Sequence, residues 1–104
     1  MDSSKLLELL KNLPNNVIIE PTAEKDIAKI LKKNYREFEQ IFEDIIRLGK
    51  ETLPPAGRKK LKTFDAWQCD VGRFRIVYKL LSNKIYILAL FPKSEQNKRF
   101  RGMR

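Results

Sequence analysis

Residues 67–91 constrain the fold of this chain more than any other stretch. From Trp67 to Phe91 it reads Trp-Gln-Cys-Asp-Val-Gly-Arg-Phe-Arg-Ile-Val-Tyr-Lys-Leu-Leu-Ser-Asn-Lys-Ile-Tyr-Ile-Leu-Ala-Leu-Phe. Turn signals near Val71-Gly72 and at Ser82-Asn83 divide it into three consecutive strands. In the middle strand, period-two alternation puts Phe74, Ile76, Tyr78 and Leu80 on one face and Arg73, Arg75, Val77 and Lys79 on the other. The third run, Ile85 to Phe91, is apolar at nearly every position, as a central strand covered on both faces would be. A stiff sheet with arginines and a lysine on one face and the core on the other is an anion-binding surface in outline.

Length and composition narrow the class. A chain of 104 residues builds one domain with a single core. No apolar run reaches the roughly 18 residues of a membrane span, and the opening Met1-Asp2-Ser3-Ser4-Lys5 lacks the layout of an export signal. With no histidine and one cysteine, Cys69, a zinc site, a His-based triad and an internal disulfide all lack their residues. The expectation is a cytoplasmic protein without metal or cofactor. Its charge is uneven: residues 1–52 carry 9 Lys/Arg against 10 Asp/Glu, a net of −1. Residues 53–104 carry 13 against 3, a net of +10, and the halves sum to +9. Nucleic acid is the commonest partner of such a basic half; the plainer reading is a generally basic, soluble domain.

The first half supplies helices. Leu6, Leu9, Leu10 and Leu13 recur at helical spacing, with Ser3 or Ser4 as cap and Pro14 as stop, and dock on the core or on a partner. Val17-Ile18-Ile19 is a β-branched strand. Pro21-Thr22 opens a helix with Thr22 as its cap, Glu24 and Asp26 in the first turn, and Ile27, Ile30 and Leu31 inward. After a break near Asn34, a second helix turns Phe38, Ile41, Phe42, Ile45, Ile46 and Leu48 inward and stops at Gly49. The fold class is therefore α+β: a small twisted antiparallel sheet, an antiparallel helical hairpin on one face, and an extra N-terminal helix over residues 1–14. Leu53-Pro54-Pro55-Ala56-Gly57 is a loop, and Arg58-Lys59-Lys60-Leu61-Lys62 is either a solvated edge that discourages edge pairing or a phosphate contact. Residues 93–104 form a basic tail with little to pack, mobile when free.

Gly72-Arg73-Phe74-Arg75-Ile76-Val77-Tyr78, a turn, then Ile85-Tyr86-Ile87-Leu88-Ala89-Leu90-Phe91-Pro92-Lys93 resembles the RelE/ParE superfamily of toxins from toxin–antitoxin pairs. The Pro92-Lys93-Ser94-Glu95-Gln96 ending is most similar to the RelE/HigB-like branch, and the resemblance spans roughly residues 16–100. It implies a single toxin domain over 1–104, an mRNA endoribonuclease working on the ribosome, and a cognate antitoxin whose acidic segment covers the active face. In the ParE branch it implies a gyrase poison instead. By position, Arg75 and Tyr78 match the family's strand arginine and tyrosine, and Lys93 and Arg99 lie where further catalytic residues stand. RelE ribonucleases often carry lysines on the first strand of the meander, where this chain has Gln68 and Asp70.

RNA cleavage of this kind needs no metal. The 2′-hydroxyl attacks the adjacent phosphorus in line, so the protein orients the strand, stabilises the phosphoryl charge and moves protons. Arginine grips phosphate bidentately and stays protonated. Base and acid roles are open between Asp70, Glu95, Tyr78 and a lysine, with a core position as the plainer reading of Tyr78. The catalytic candidates are Arg75, Lys93, Arg99, Asp70 and Glu95. Lys60, Lys62, Gln68, Arg73, Lys79, Lys98 and Arg101 are the RNA-binding candidates. A non-enzymatic gyrase binder and a plain RNA-binding module are the rivals; the latter would need aromatics for base stacking where Val77 stands.

Overall fold

The computed structural model describes residues 8–50, 59–60 and 66–102, with side chains as far as residue 99 outside the 59–60 strand. In chain order the elements are β1 (Val17–Ile19), α1 (Pro21–Lys33), α2 (Tyr35–Lys50), β2 (Lys59–Lys60), β3 (Trp67–Val71), β4 (Phe74–Leu81) and β5 (Lys84–Pro92). A 3-10 turn, Lys93–Glu95, leads into α3 (Gln96–Gly102). The five strands stand in the order β1-β5-β4-β3-β2. The expected meander is present, antiparallel from β2 through β5, while the edge strand β1 joins β5 in parallel.

Turn chemistry sets this register. Ser82 and Asn83 adopt φ of 51° and 64°, the paired left-handed conformation of a two-residue hairpin whose twist matches its strands. Gly72 at φ 58° turns β3 into β4 and places Val71 opposite Phe74, so Asp70 falls opposite Arg75. A bulge breaks the β4–β5 ladder at Val77/Tyr78, where Val77 faces Ala89 and Tyr78 faces Ile87. The extra residue, Leu88, flips the side-chain alternation of β5. Ile85 and Ile87 therefore share the helix face with Leu90, while Ala89 and Phe91 point to the other face.

The main core lies between the sheet and the helical hairpin. Phe74, Ile76 and Tyr78 pack there with Ile27, Ile30 and Leu31 of α1 and Phe38, Ile41, Ile45 and Leu48 of α2, as the two periodicities predict. Asn34 alone joins the helices: its N–H closes α1 on the Ile30 carbonyl at 2.8 Å, and its Oδ1 accepts the Glu37 N–H at 3.2 Å. α1 opens with Pro21 in its first turn and Glu20 as N-cap, without a side-chain cap, so Thr22 lies inside the helix rather than capping it. Gly49 does not stop α2, which runs on to Lys50. It is there because a Cβ would meet Val17 Cγ2 at 2.6 Å and Pro14 Cγ at 2.9 Å.

Residues 8–11 are helical, and Leu9, Leu10 and Leu13 pack on the domain's own core; Leu6, Ser3 and Ser4 lie outside the described residues. So does the 53–57 loop. The face expected to be an open basic platform is covered: Val77 and Ala89 are fully buried in a second apolar cluster with Ala66 and Phe91. The tail expected to be mobile is instead helical over 96–102 and docked. The physical reason is common to both. β5 is apolar on both faces, and α3 lies against its outer end where β1 is too short to cover it.

Candidate functional site

The predicted catalytic residues divide into two groups on either side of the β5 end. The first is Asp70, Arg75 and Lys93. Arg75 donates from Nε to Asp70 Oδ1 at 2.8 Å and from Nη2 to Oδ2 at 3.2 Å, a bidentate cross-strand pair. Lys93 Nζ approaches the same carboxylate at 3.7 Å. Arg75 Nη1 donates to Gln96 Oε1, so the first residue of α3 completes the guanidinium's contacts. The Arg75 side chain is 18% exposed, while those of Asp70 and Lys93 are each 42% exposed. The cluster thus has a fixed guanidinium below and an accessible carboxylate and ammonium above. The hydrogen bonds from Arg75, aided by its charge and that of Lys93, hold the Asp70 carboxyl below the usual carboxylate range, against a smaller effect of burial. The same pair raises the Arg75 guanidinium further, so both groups stay charged.

The second group surrounds Asp26, whose side chain is 9% exposed. Arg99 donates to both its oxygens, at 3.0 and 2.7 Å, and lies 5.1 Å from the centre of the Phe91 ring. Asp26 Oδ2 also accepts the Leu90 N–H at 2.9 Å, a ladder position that β5 presents beyond the end of β1. Arg99 therefore sits apart from Arg75, tying α3 to α1. Glu95 lines a cleft of 360 Å³ together with Arg99, not the Asp70 cluster.

Arg73 departs from its expected place beside Arg75. It lies in the turn rather than the strand, and it reaches α2: its Nε and Nη2 bond Glu37 at 2.7 and 2.8 Å, and its guanidinium lies 4.8 Å from the Phe74 ring centre. The pairing lowers the Glu37 carboxyl and raises Arg73. Gln68 stands opposite Val77 with its Oε1 buried and unpartnered among the described residues, so it offers no exposed acceptor. Lys79 and Lys98 are exposed, and Tyr78 is fully buried, too deep to touch a substrate. Lys60 pairs through its backbone with Trp67; its side chain, that of Arg101, and Lys62 as a whole lie outside the described residues.

Reading the sequence put Asp26 in the first turn of α1, where only Glu24 stands, and missed Glu37 and Gln96. Asp26 carried a signal, because it interrupts the inward stripe Ala23, Ile27, Ile30 and Leu31, where an acid needs a partner. Gln96 and Glu37 carried none, since their partners are 21 and 36 residues away.

With this geometry in view, known proteins can be compared. The sequence model for the ParE toxin of the type II toxin–antitoxin system parDE matches residues 17–97. No curated protein matches in sequence. Among solved structures, the fold is similar to a YoeB–YefM complex from Staphylococcus aureus, with a TM-score of 0.61 and 20% identity over 73% of this chain and 93% of that one. It is likewise similar to a heterotetrameric YoeB–YefM toxin–antitoxin complex of the same organism, at 0.61 and 18% identity over the same shares. The family model spans residues 17–97 of 104: the chain belongs to the ParE toxin family, within the RelE/ParE superfamily of type II toxins.

Proposed function

We propose that this toxin is a metal-independent endoribonuclease of translated mRNA, held in check by a cognate antitoxin in the cytoplasm. The observation carrying this reading is the convergence of Arg75 and Lys93 on the accessible Asp70 carboxylate. An anion already sits where a scissile phosphate would meet two cations. Arg75 and Lys93 stabilise the phosphoryl oxygens as charge builds up on them. Asp70 takes the proton of the attacking 2′-hydroxyl; the O2′–P bond forms and the P–O5′ bond breaks. Lys93 donates a proton to the departing 5′-oxygen. Since Asp70 is held ionised, it is available as an acceptor but is a weak base, so its contribution depends on positioning.

A second reading has its own support. The bidentate Asp70–Arg75 pair leaves that fork closed, and the family match is to ParE rather than to a ribonuclease branch. In that reading the toxin poisons gyrase through a protein interface. The deciding experiment measures cleavage of ribosome-bound mRNA beside gyrase supercoiling. We expect cleavage, slowed by ~10²-fold or more in Arg75→Ala. Intact mRNA with inhibited supercoiling would make the gyrase reading correct.

A further inference from the structure

The cleft of 360 Å³ is not part of the Asp70 cluster. It opens between α1, the start of α2 and the end of the sheet, with Ile30, Leu90 and Pro92 among its apolar lining. Its size falls at the lower end of the roughly 300–1,000 Å³ of small-ligand pockets, suited to one nucleotide. Four cations line it, Lys29, Lys33, Arg73 and Arg99, against Asp26, Glu37 and Glu95. Two of those carboxylates are already held bidentately, Asp26 by Arg99 and Glu37 by Arg73. What remains is Lys29 and Lys33 facing Glu95.

Lys29 and Lys33 are exposed, one turn apart on the same face of α1, and neither has a carboxylate partner among the described residues. Arg73 is fixed differently. Its contacts with Glu37 and Phe74 hold the guanidinium plane at the cleft wall, and such planes stack well on nucleobases. Pro92 and the 3-10 turn Lys93–Glu95 separate the two sites, with Lys93 serving one and Glu95 the other. The two sites thus meet at one 3-10 turn, with Lys93 and Glu95 two residues apart in the chain.

We propose that the cleft is a flanking-nucleotide subsite for single-stranded RNA, with a phosphate on Lys29 and Lys33 and a base against Arg73. The subsite rests on the reading of this toxin as RNA-directed, and it assigns α1 a part in holding the strand.

The test is the binding of a fluorescent oligouridylate to the full chain across a salt series. Lys29→Ala with Lys33→Ala should flatten the slope of log K against log salt by about 0.7–1.4, for one or two phosphates neutralised. Lys25→Ala with Lys32→Ala removes the same charge from the same helix outside the cleft and should leave the slope unchanged. The single-turnover cleavage rate at saturating RNA should be unchanged in the Lys25/Lys32 variant, because that pair lies outside both the cleft and the Asp70 cluster. An abasic strand of equal charge should bind more weakly than oligouridylate to the unaltered toxin. Equal slopes for the two double variants would overturn the phosphate subsite, and equal affinity for the abasic strand would overturn the base contact. Competition by poly-glutamate as strong as that by RNA of equal charge would give the cleft to an acidic protein segment instead. If the unaltered toxin binds no RNA, the RNA reading itself fails, and the subsite with it.

Discussion

At the scale of single residues, Asp70 decides what Arg75 can do. The carboxylate fills the guanidinium fork, yet it is also the acceptor nearest a bound 2′-hydroxyl in the proposed reaction. Asp70→Asn separates these effects. RNA affinity should rise several-fold as a negative charge leaves the site, while single-turnover cleavage falls by ~10²-fold as the base is lost. A fall in both would mean that Asp70 only positions Arg75. The depressed carboxyl also has a consequence for stability. Because the folded value lies below the unfolded one, near 3.9, the pair's contribution is complete above that pH and is lost as pH falls through the folded value. In urea unfolding, wild type and Asp70→Asn should therefore differ at pH 7, and the difference should shrink as the pH is taken down through the acid range below the unfolded value. The sequence reading missed this pairing because it set the turn near Val71-Gly72 and ran the strand through Arg73; counting outward from the Gly72-Arg73 turn sets Asp70 opposite Arg75. The same count removes Arg73 from the strand face, since a turn residue follows no strand alternation.

At the scale of elements, the side chains that tie α3 to the rest of the fold include Gln96, on Arg75, and Arg99, on Asp26. The Asp26 carboxylate is nearly buried, so removing its cation leaves an uncompensated charge. Arg99→Ala should destabilise the fold by about 3 kcal/mol and expose the 96–102 amides to faster hydrogen exchange. An unchanged exchange pattern would show that apolar contacts alone dock the helix. Gly49→Ala is a second check on packing. Helix propensity favours alanine by about 1 kcal/mol, but the Cβ would meet Val17 and Pro14 at 2.6 and 2.9 Å. Overpacking of that kind costs about 1–3 kcal/mol, so the variant should unfold at lower urea. The helices and the meander were legible because each has a clean period, 3.6 or 2, and a chemically plain turn. The tail was not, because α3 is short, strongly basic and stabilised by partners on α1 and β4 that no local pattern announces. The bulge at Val77/Tyr78 was hidden for a related reason: an all-apolar β5 reads the same whether or not its alternation flips.

At the scale of the whole molecule, the uneven charge acts through those residues that are not already neutralised at home. The sequence reading puts Arg73 and Arg75 on one sheet face and Arg99 in the basic tail, all counted as free cations of the basic half. In the fold each is held by a carboxylate: Glu37, Asp70 and Asp26. Ions already paired displace few counterions from a nucleic acid, so the salt dependence of RNA binding should be carried by lysines. If four lysines, such as Lys29, Lys33, Lys79 and Lys98, each neutralise a phosphate, log K should fall with log salt at a slope of about −2.8 for a single strand. Lys98→Ala should flatten that slope by roughly 0.7, whereas Arg73→Ala should leave it unchanged while weakening binding through the carboxylate it uncovers. Measuring the slope for both variants distinguishes the two kinds of cation. A loss of 0.7 from Arg73→Ala as well would show that phosphate displaces Glu37 from the guanidinium, and that the paired arginines open when RNA arrives.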